Sequence, residues 1–99
     1  MVNNKIVMAL LVKVDGPTEK VEPKNETSFS LEELQGYVGG YIQIITPKVG
    51  ERVVINEEGK LMGLPINKQA TDIALLFRVI KTNDFIVGDV LLCKPEEIK

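Results

Sequence analysis

The run Ile6-Val7-Met8-Ala9-Leu10-Leu11-Val12-Lys13-Val14 constrains this chain more than any other stretch. A strand with one face in water alternates apolar and polar residues, and this run does not. Its nearly continuous aliphatic character predicts a strand covered on both faces, central in a sheet or set in an oligomer interface. Asp15-Gly16-Pro17 closes it with a turn signal. A chain of 99 residues has room for one core, so every other element must be arranged around this strand. The expectation is a single domain over residues 1–99, with 1–5 and 94–99 as frayed tails. So small a domain buries a modest share of its surface, which makes a homo-oligomer an expected supplement.

The sharpest local signal is the capping box Ser30-Leu31-Glu32-Glu33, in which Ser30 and Glu33 each satisfy an orphan amide of a first helical turn. Phe29 before the cap and Leu34 after it stand at staple positions, and Gly39 is placed to stop the helix in a left-handed conformation. A helix over about 31 to 38 follows, burying Leu31, Leu34 and Val38 on one face. Thr18 to Glu22 reads as a short edge strand stopped by Pro23. Tyr41 to Thr46 and Arg52 to Asn56 read as a strand pair. Glu57-Glu58-Gly59 has the form of a three-residue hairpin loop with a left-handed glycine, leading into a partner strand at Lys60 to Leu64. Asn67 can cap a second helix whose buried face carries Ala70, Ile73, Ala74 and Phe77. The helix end is open, because Phe77-Arg78-Val79-Ile80 fits a strand equally well. Phe85 to Leu92 reads as a last strand broken at Gly88-Asp89, and a carboxylate in so apolar a run points to a bulge, an interface or a partner such as Lys60 or Arg52. The fold class is α+β: a largely antiparallel sheet of hairpins and meander, packed by one or two short helices.

Absent residue types exclude the commonest chemistries. The chain has no histidine and a single cysteine, Cys93, so it cannot build Ser-His or Cys-His nucleophile pairs, His/Cys zinc sites or an intrachain disulfide. Cys93 sits in the apolar run Val90-Leu91-Leu92-Cys93 and reads as a core residue. No catalytic residue, metal ligand set or cofactor is expected. Lys and Arg number 12 against 14 Asp and Glu, without the basic excess that phosphate neutralisation demands of a nucleic-acid binder. The apolar run after Lys5 is too short to span a bilayer, and no small-x-small cleavage site follows it, so the expected location is the cytosol, with no membrane partner.

From about Leu31 to Cys93 the order of motifs resembles domain-of-unknown-function family 3846. The resemblance is carried by Leu34-Gln35-Gly36-Tyr37-Val38-Gly39-Gly40-Tyr41-Ile42, Asn56-Glu57-Glu58-Gly59-Lys60-Leu61, Gly63-Leu64-Pro65-Ile66-Asn67 and Asp84-Phe85-Ile86-Val87-Gly88-Asp89-Val90. It implies an α+β fold and an origin in bacteriophages or mobile elements of bacteria, hence a bacterial host cytosol, and it supplies no activity. Gln43 departs from the family, which more often carries an acidic residue there, so a carboxylate role does not carry over to it.

Candidate ligand-binding residues are Tyr37, Gly39, Gly40, Tyr41, Gln43, Asn56, Glu58 and Asn67. Paired glycines admit close backbone approach, and tyrosine offers a ring for stacking with a hydroxyl for orientation. Asn56 and Glu58 are suited to a ribose or amide, and the first-turn amides beside Asn67 to an anion. Capping, turn formation and core packing are the structural alternatives for each of them. The leading expectation is a non-enzymatic phage or mobile-element protein that binds a small ligand, a nucleotide-type immune signal of the host, and so acts as an anti-defence sponge. The alternative is a protein-binding inhibitor of a host defence or regulatory protein, acting through a strand edge or the acidic Glu57-Glu58 and Glu96-Glu97 segments. A metal-dependent hydrolase built on Glu58 and Asp89 is a third reading.

Overall fold

The computed structural model describes residues 9–25, 27–47 and 51–98. The central apolar run enters it as β1, Ala9–Val12, followed by β2, Glu19–Val21. Helix α1, Leu31–Val38, leads to β3, Ile42–Ile45, and β4, Arg52–Asn56. Helix α2, Lys68–Leu76, precedes β5, Val90–Cys93. The strands form one antiparallel sheet in the order β2-β1-β5-β4-β3. The expected tail at 1–5, the start of the apolar run at 6–8 and Lys99 lie outside the described residues.

Strand alternation explains why β1 needs no polar face. Ala9 and Leu11 pack with Leu34, Val38, Val54, Leu91 and Cys93 on the side that α1 covers. Val12 and Val90 pack with Ala70, Ala74 and Ile86 on the α2 side. One helix therefore lies on each face, and the middle strands are buried twice over.

Helix α1 has the capping box foreseen in its sequence: Glu33 N donates to Ser30 Oγ at 3.1 Å, and Ser30 N donates to Glu33 Oε1 at 2.8 Å. Gly39 ends it at φ 83°. Leu31, expected on the buried face, stays exposed, and Phe29 fills the core beside Leu34 and stacks edge-to-face with Tyr37.

Helix α2 begins at Asn67, which is 0% exposed and has every side-chain group satisfied. Its Oδ1 accepts from Ala70 N at 3.0 Å, and its Nδ2 donates to Val12 O and Gly88 O, both at 2.9 Å. The open helix end resolves as a cap. Arg78 N donates to Leu75 O and Val79 N to Ala74 O, with Arg78 left-handed at φ 56°. This is the Schellman arrangement, with arginine where glycine usually stands. Phe77, expected on the buried face, becomes the cap residue and is 66% exposed.

Four other expectations are corrected. Lys60 to Leu64 is no strand, because β3 occupies one edge of β4 and β5 the other. The chain coils there instead, with Met62 N donating to Glu58 O and Leu64 N to Gly59 O. Gly59 is not left-handed; it is buried, and a Cβ on it would stand 2.8 Å from Val87 Cγ2. Residues 94–98 are packed rather than frayed: Pro95–Glu97 form a 3-10 turn, Glu97 is buried, and Glu97 O accepts from Phe29 N at 2.7 Å. Asp89 pairs with neither Lys60 nor Arg52, and its Oδ1 accepts from Val14 N at 2.9 Å.

Two substitutions test these assignments. Asn67→Ala strands two carbonyls and an amide in the interior and should cost about 3 kcal/mol in urea unfolding. Arg78→Gly removes a left-handed β-carbon from a cap already formed and should stabilise by about 1 kcal/mol in the same assay.

Candidate functional site

Two depressions among the described residues lie on the α2 face of the sheet. Ala70 and Ala74 are the only buried residues of α2, and such small side chains keep the helix from filling the space over β4 and β5. A cavity of about 260 Å³ results, walled by Val53, Ile73, Phe77, Val79 and Leu92, with Pro47 and the exposed Glu51. It is almost wholly apolar.

The second depression, of about 200 Å³, has the more diverse chemistry. Its floor is Ile45 and Ile55, its walls include Gln43 of β3, and Lys60 comes from the coil after β4. Asp84, Phe85 and Ile86 enter from the segment before β5. Lys60 Nζ bonds to Asp84 Oδ1 and stands 4.5 Å from the centroid of the Phe85 ring. Asp84 Oδ1 also accepts from Phe85 N at 2.7 Å. The Lys60 hydrogen bond, helped by that amide, holds the Asp84 carboxyl below its ordinary range. A ring, a cation, a carboxylate and a primary amide therefore share one hollow.

The candidate residues read from the sequence do not converge there as a set. Gln43 lines the depression. Asn56 contributes to its wall, but the Asn56 side chain is committed elsewhere: Nδ2 donates to Val38 O at 3.1 Å and Oδ1 accepts from Glu58 N at 2.8 Å. These bonds tie the end of β4 to the C-terminus of α1 and shape the following coil. Gly40 lies against this amide, where a Cβ would meet Asn56 Nδ2 at 3.1 Å. Gly39 is the helix terminator, and Tyr37 is half-buried against Phe29, where burial pushes its phenol up. Tyr41 is 65% exposed and Glu58 is exposed. Asn67 is interior, and its cap has taken the Ala70 amide that an anion would use. Lys60, Asp84 and Phe85 were not singled out as ligand residues in the sequence, because nothing local distinguishes them from strand and turn residues.

Cys93 is buried in the α1-side core, and desolvation pushes its thiol up to about 12. Among the described residues, no group of three or more His, Cys, Asp and Glu side chains is placed to hold a metal, and no helix is long and apolar enough to cross a membrane.

A family profile described as "Domain of unknown function (DUF3846)" matches residues 7–99. The chain belongs to this family. The match takes in all five strands and both helices, including β1 and β2, which precede the motifs that carry the resemblance in the sequence. No curated protein and no solved structure matches this DUF3846 chain.

The Lys60–Asp84 contact has a definite pH signature. A carboxyl held low in the folded state contributes stability above its unfolded pKa and loses it as pH falls through the folded one. Carbon-detected NMR titration should place Asp84 below its ordinary value of 3.8. Lys60→Ala should move it back toward that value, and an unchanged titration would mean that the contact is not formed in solution.

Proposed function

We propose that this DUF3846 protein binds a small, flat, anionic ligand of nucleotide type in the Gln43–Lys60–Asp84–Phe85 depression and holds it unchanged. The observation that carries this reading is the Lys60 ammonium held beside both the Phe85 ring and the Asp84 carboxylate at the edge of a hollow. In the free protein Asp84 neutralises Lys60. An incoming phosphate would compete for the ammonium, while the ring offers a stacking face and Gln43 an amide able both to donate and to accept.

The size of the hollow bounds the ligand. About 200 Å³ is below the usual range for drug-sized molecules, so one ring system enters and the remainder stays at the surface. Retention without turnover requires none of the catalytic groups the sequence lacks. In a phage or mobile-element setting, such binding would sequester a host immune signal. A protein partner is the second reading, favoured by the exposed apolar side chains Leu61, Met62 and Ile66 on and just beyond the coil after β4.

Native mass spectrometry of the protein purified from a bacterial host, with titration against a panel of mono- and dinucleotides, tests the proposal. An intact nucleotide-like mass should be released on denaturation. Phe85→Ala and Lys60→Ala should each weaken binding about tenfold or more, as loss of one stacked base or one charge-assisted contact does. An empty protein that ignores every nucleotide in the panel would sink this reading and turn the search to a protein partner.

A further inference from the structure

The two edges of the sheet are built differently. On β2 the outer strand is three residues long, carries Glu19 and Lys20, and lies between Pro17 and Pro23. Charge, brevity and proline are the usual means of keeping an edge from pairing. On β3 the charge is missing: Ile42-Gln43-Ile44-Ile45 is uncharged and one residue longer, and it has a proline after it, Pro47, but none just before it.

Register identifies the groups on this edge that have no partner among the described residues. Ile42 faces Asn56, Gln43 faces Ile55, Ile44 faces Val54 and Ile45 faces Val53. One step further along, Glu57 N donates to Tyr41 O at 2.8 Å. Hydrogen-bonded and non-bonded pairs alternate in an antiparallel ladder, so Gln43 and Ile45 turn their backbone groups toward β4. Ile42 and Ile44 turn theirs outward, symmetrically about Gln43.

We propose that β3 pairs with β3 of a second copy of this chain, antiparallel about a two-fold axis through Gln43. Ile42 of each chain then opposes Ile44 of the other, and each of these two pairs exchanges both of its hydrogen bonds. The two Gln43 residues face each other as a non-bonded pair, with side-chain amides free to bond across the axis. A second copy fits because the outward pattern is its own antiparallel complement, as an isologous interface requires. The net charge of −2 offers little repulsion. Apolar surface borders the edge: Ile44 is 37% exposed on the α1 face, Tyr41 precedes the strand, and the 89% exposed Leu61 shares the hollow with Gln43 and Ile45. The dimer does not depend on the ligand reading. It continues the sheet from one copy into the next and brings the two hollows to the same face on either side of the axis.

Light scattering coupled to size exclusion, from micromolar to millimolar protein, should give twice the chain mass. Gln43→Lys puts like charges face to face at the axis and should return the protein to monomer, with partial recovery in high salt. Ile44→Pro removes an outward amide and no ladder bond to β4, and should do the same with unchanged circular dichroism; if the loss of the Ile44 side chain and the fixed φ prevent folding, Gln43→Lys carries the test. Gln43→Cys should give an intermolecular disulfide on air oxidation, because Cβ atoms of opposed non-bonded residues lie about 4.5–5.5 Å apart, while buried Cys93 stays inert. Asp15→Cys, on an exposed turn, serves as the control. A monomer at every concentration, or a dimer indifferent to both Gln43→Lys and Ile44→Pro, would overturn the proposal and leave the edge to another protein's strand.

Discussion

Much of the fold depends on the carboxamide of Asn67. It caps α2 through Ala70 N, holds the end of β1 through Val12 O, and fixes Gly88 just ahead of β5 through Gly88 O. These three segments are far apart in sequence, and their backbone groups are buried where water cannot replace a missing partner. The main-chain amide of Asn67 adds a bond to Ile86 O, so the path into β5 is held on both sides of Val87. Asn56 does a smaller version of the same work between α1, β4 and the coil that follows. Two asparagines, one at the end of a strand and one at the start of a helix, thus connect elements that hydrophobic contact alone would leave free to slide.

The two faces of the sheet are packed differently. On the α1 face, Phe29, Leu34 and Val38 are large enough to fill the space above β1, β4 and β5, and that side is the principal core. On the α2 face, Ala70 and Ala74 bring the helix close and leave the apolar hollow beside it, while the second hollow is walled by β3, the coil after β4 and the segment before β5. The floor of the second hollow is Ile45 and Ile55, so any group held there rests on two rigid strands of the sheet. The apolar hollow lacks convergent polar groups, whereas the Lys60–Phe85 hollow has them, and that contrast favours the second for the proposed ligand.

Which residues the sequence singled out, and which it passed over, has a physical cause. Asn56 and Asn67 stood out because polar side chains next to apolar strands and helix starts need partners. Both proved to have them inside the protein. Gly39 was recognisable because a helix stop has a local signature, and Gln43 only because it departs from the family's usual acidic residue. Lys60, Asp84 and Phe85 carried no such mark. Lys60 and Asp84 are 24 residues apart, and each is ordinary in its own segment. Their meeting depends on where two irregular stretches cross the sheet, and no periodicity encodes that.

By itself the sequence determined the elements whose causes lie within about one helical turn or one strand: the doubly buried β1, the boxed and glycine-stopped α1, the Asn67 cap, the short charged edge β2 and the interior Cys93. It also excluded histidine chemistry and an intrachain disulfide by composition alone. Tertiary structure decided which strand takes the second edge of β4. Locally, Lys60 to Leu64 had the advantage of a short loop. β5 wins that edge with an apolar strand 34 residues downstream of β4, because burying Val90 and Leu91 against both layers outweighs the slowly growing cost of closing a longer loop. Once β5 is there, the coil after β4 is displaced onto the α2 face, and only then does Lys60 reach Asp84 and Phe85.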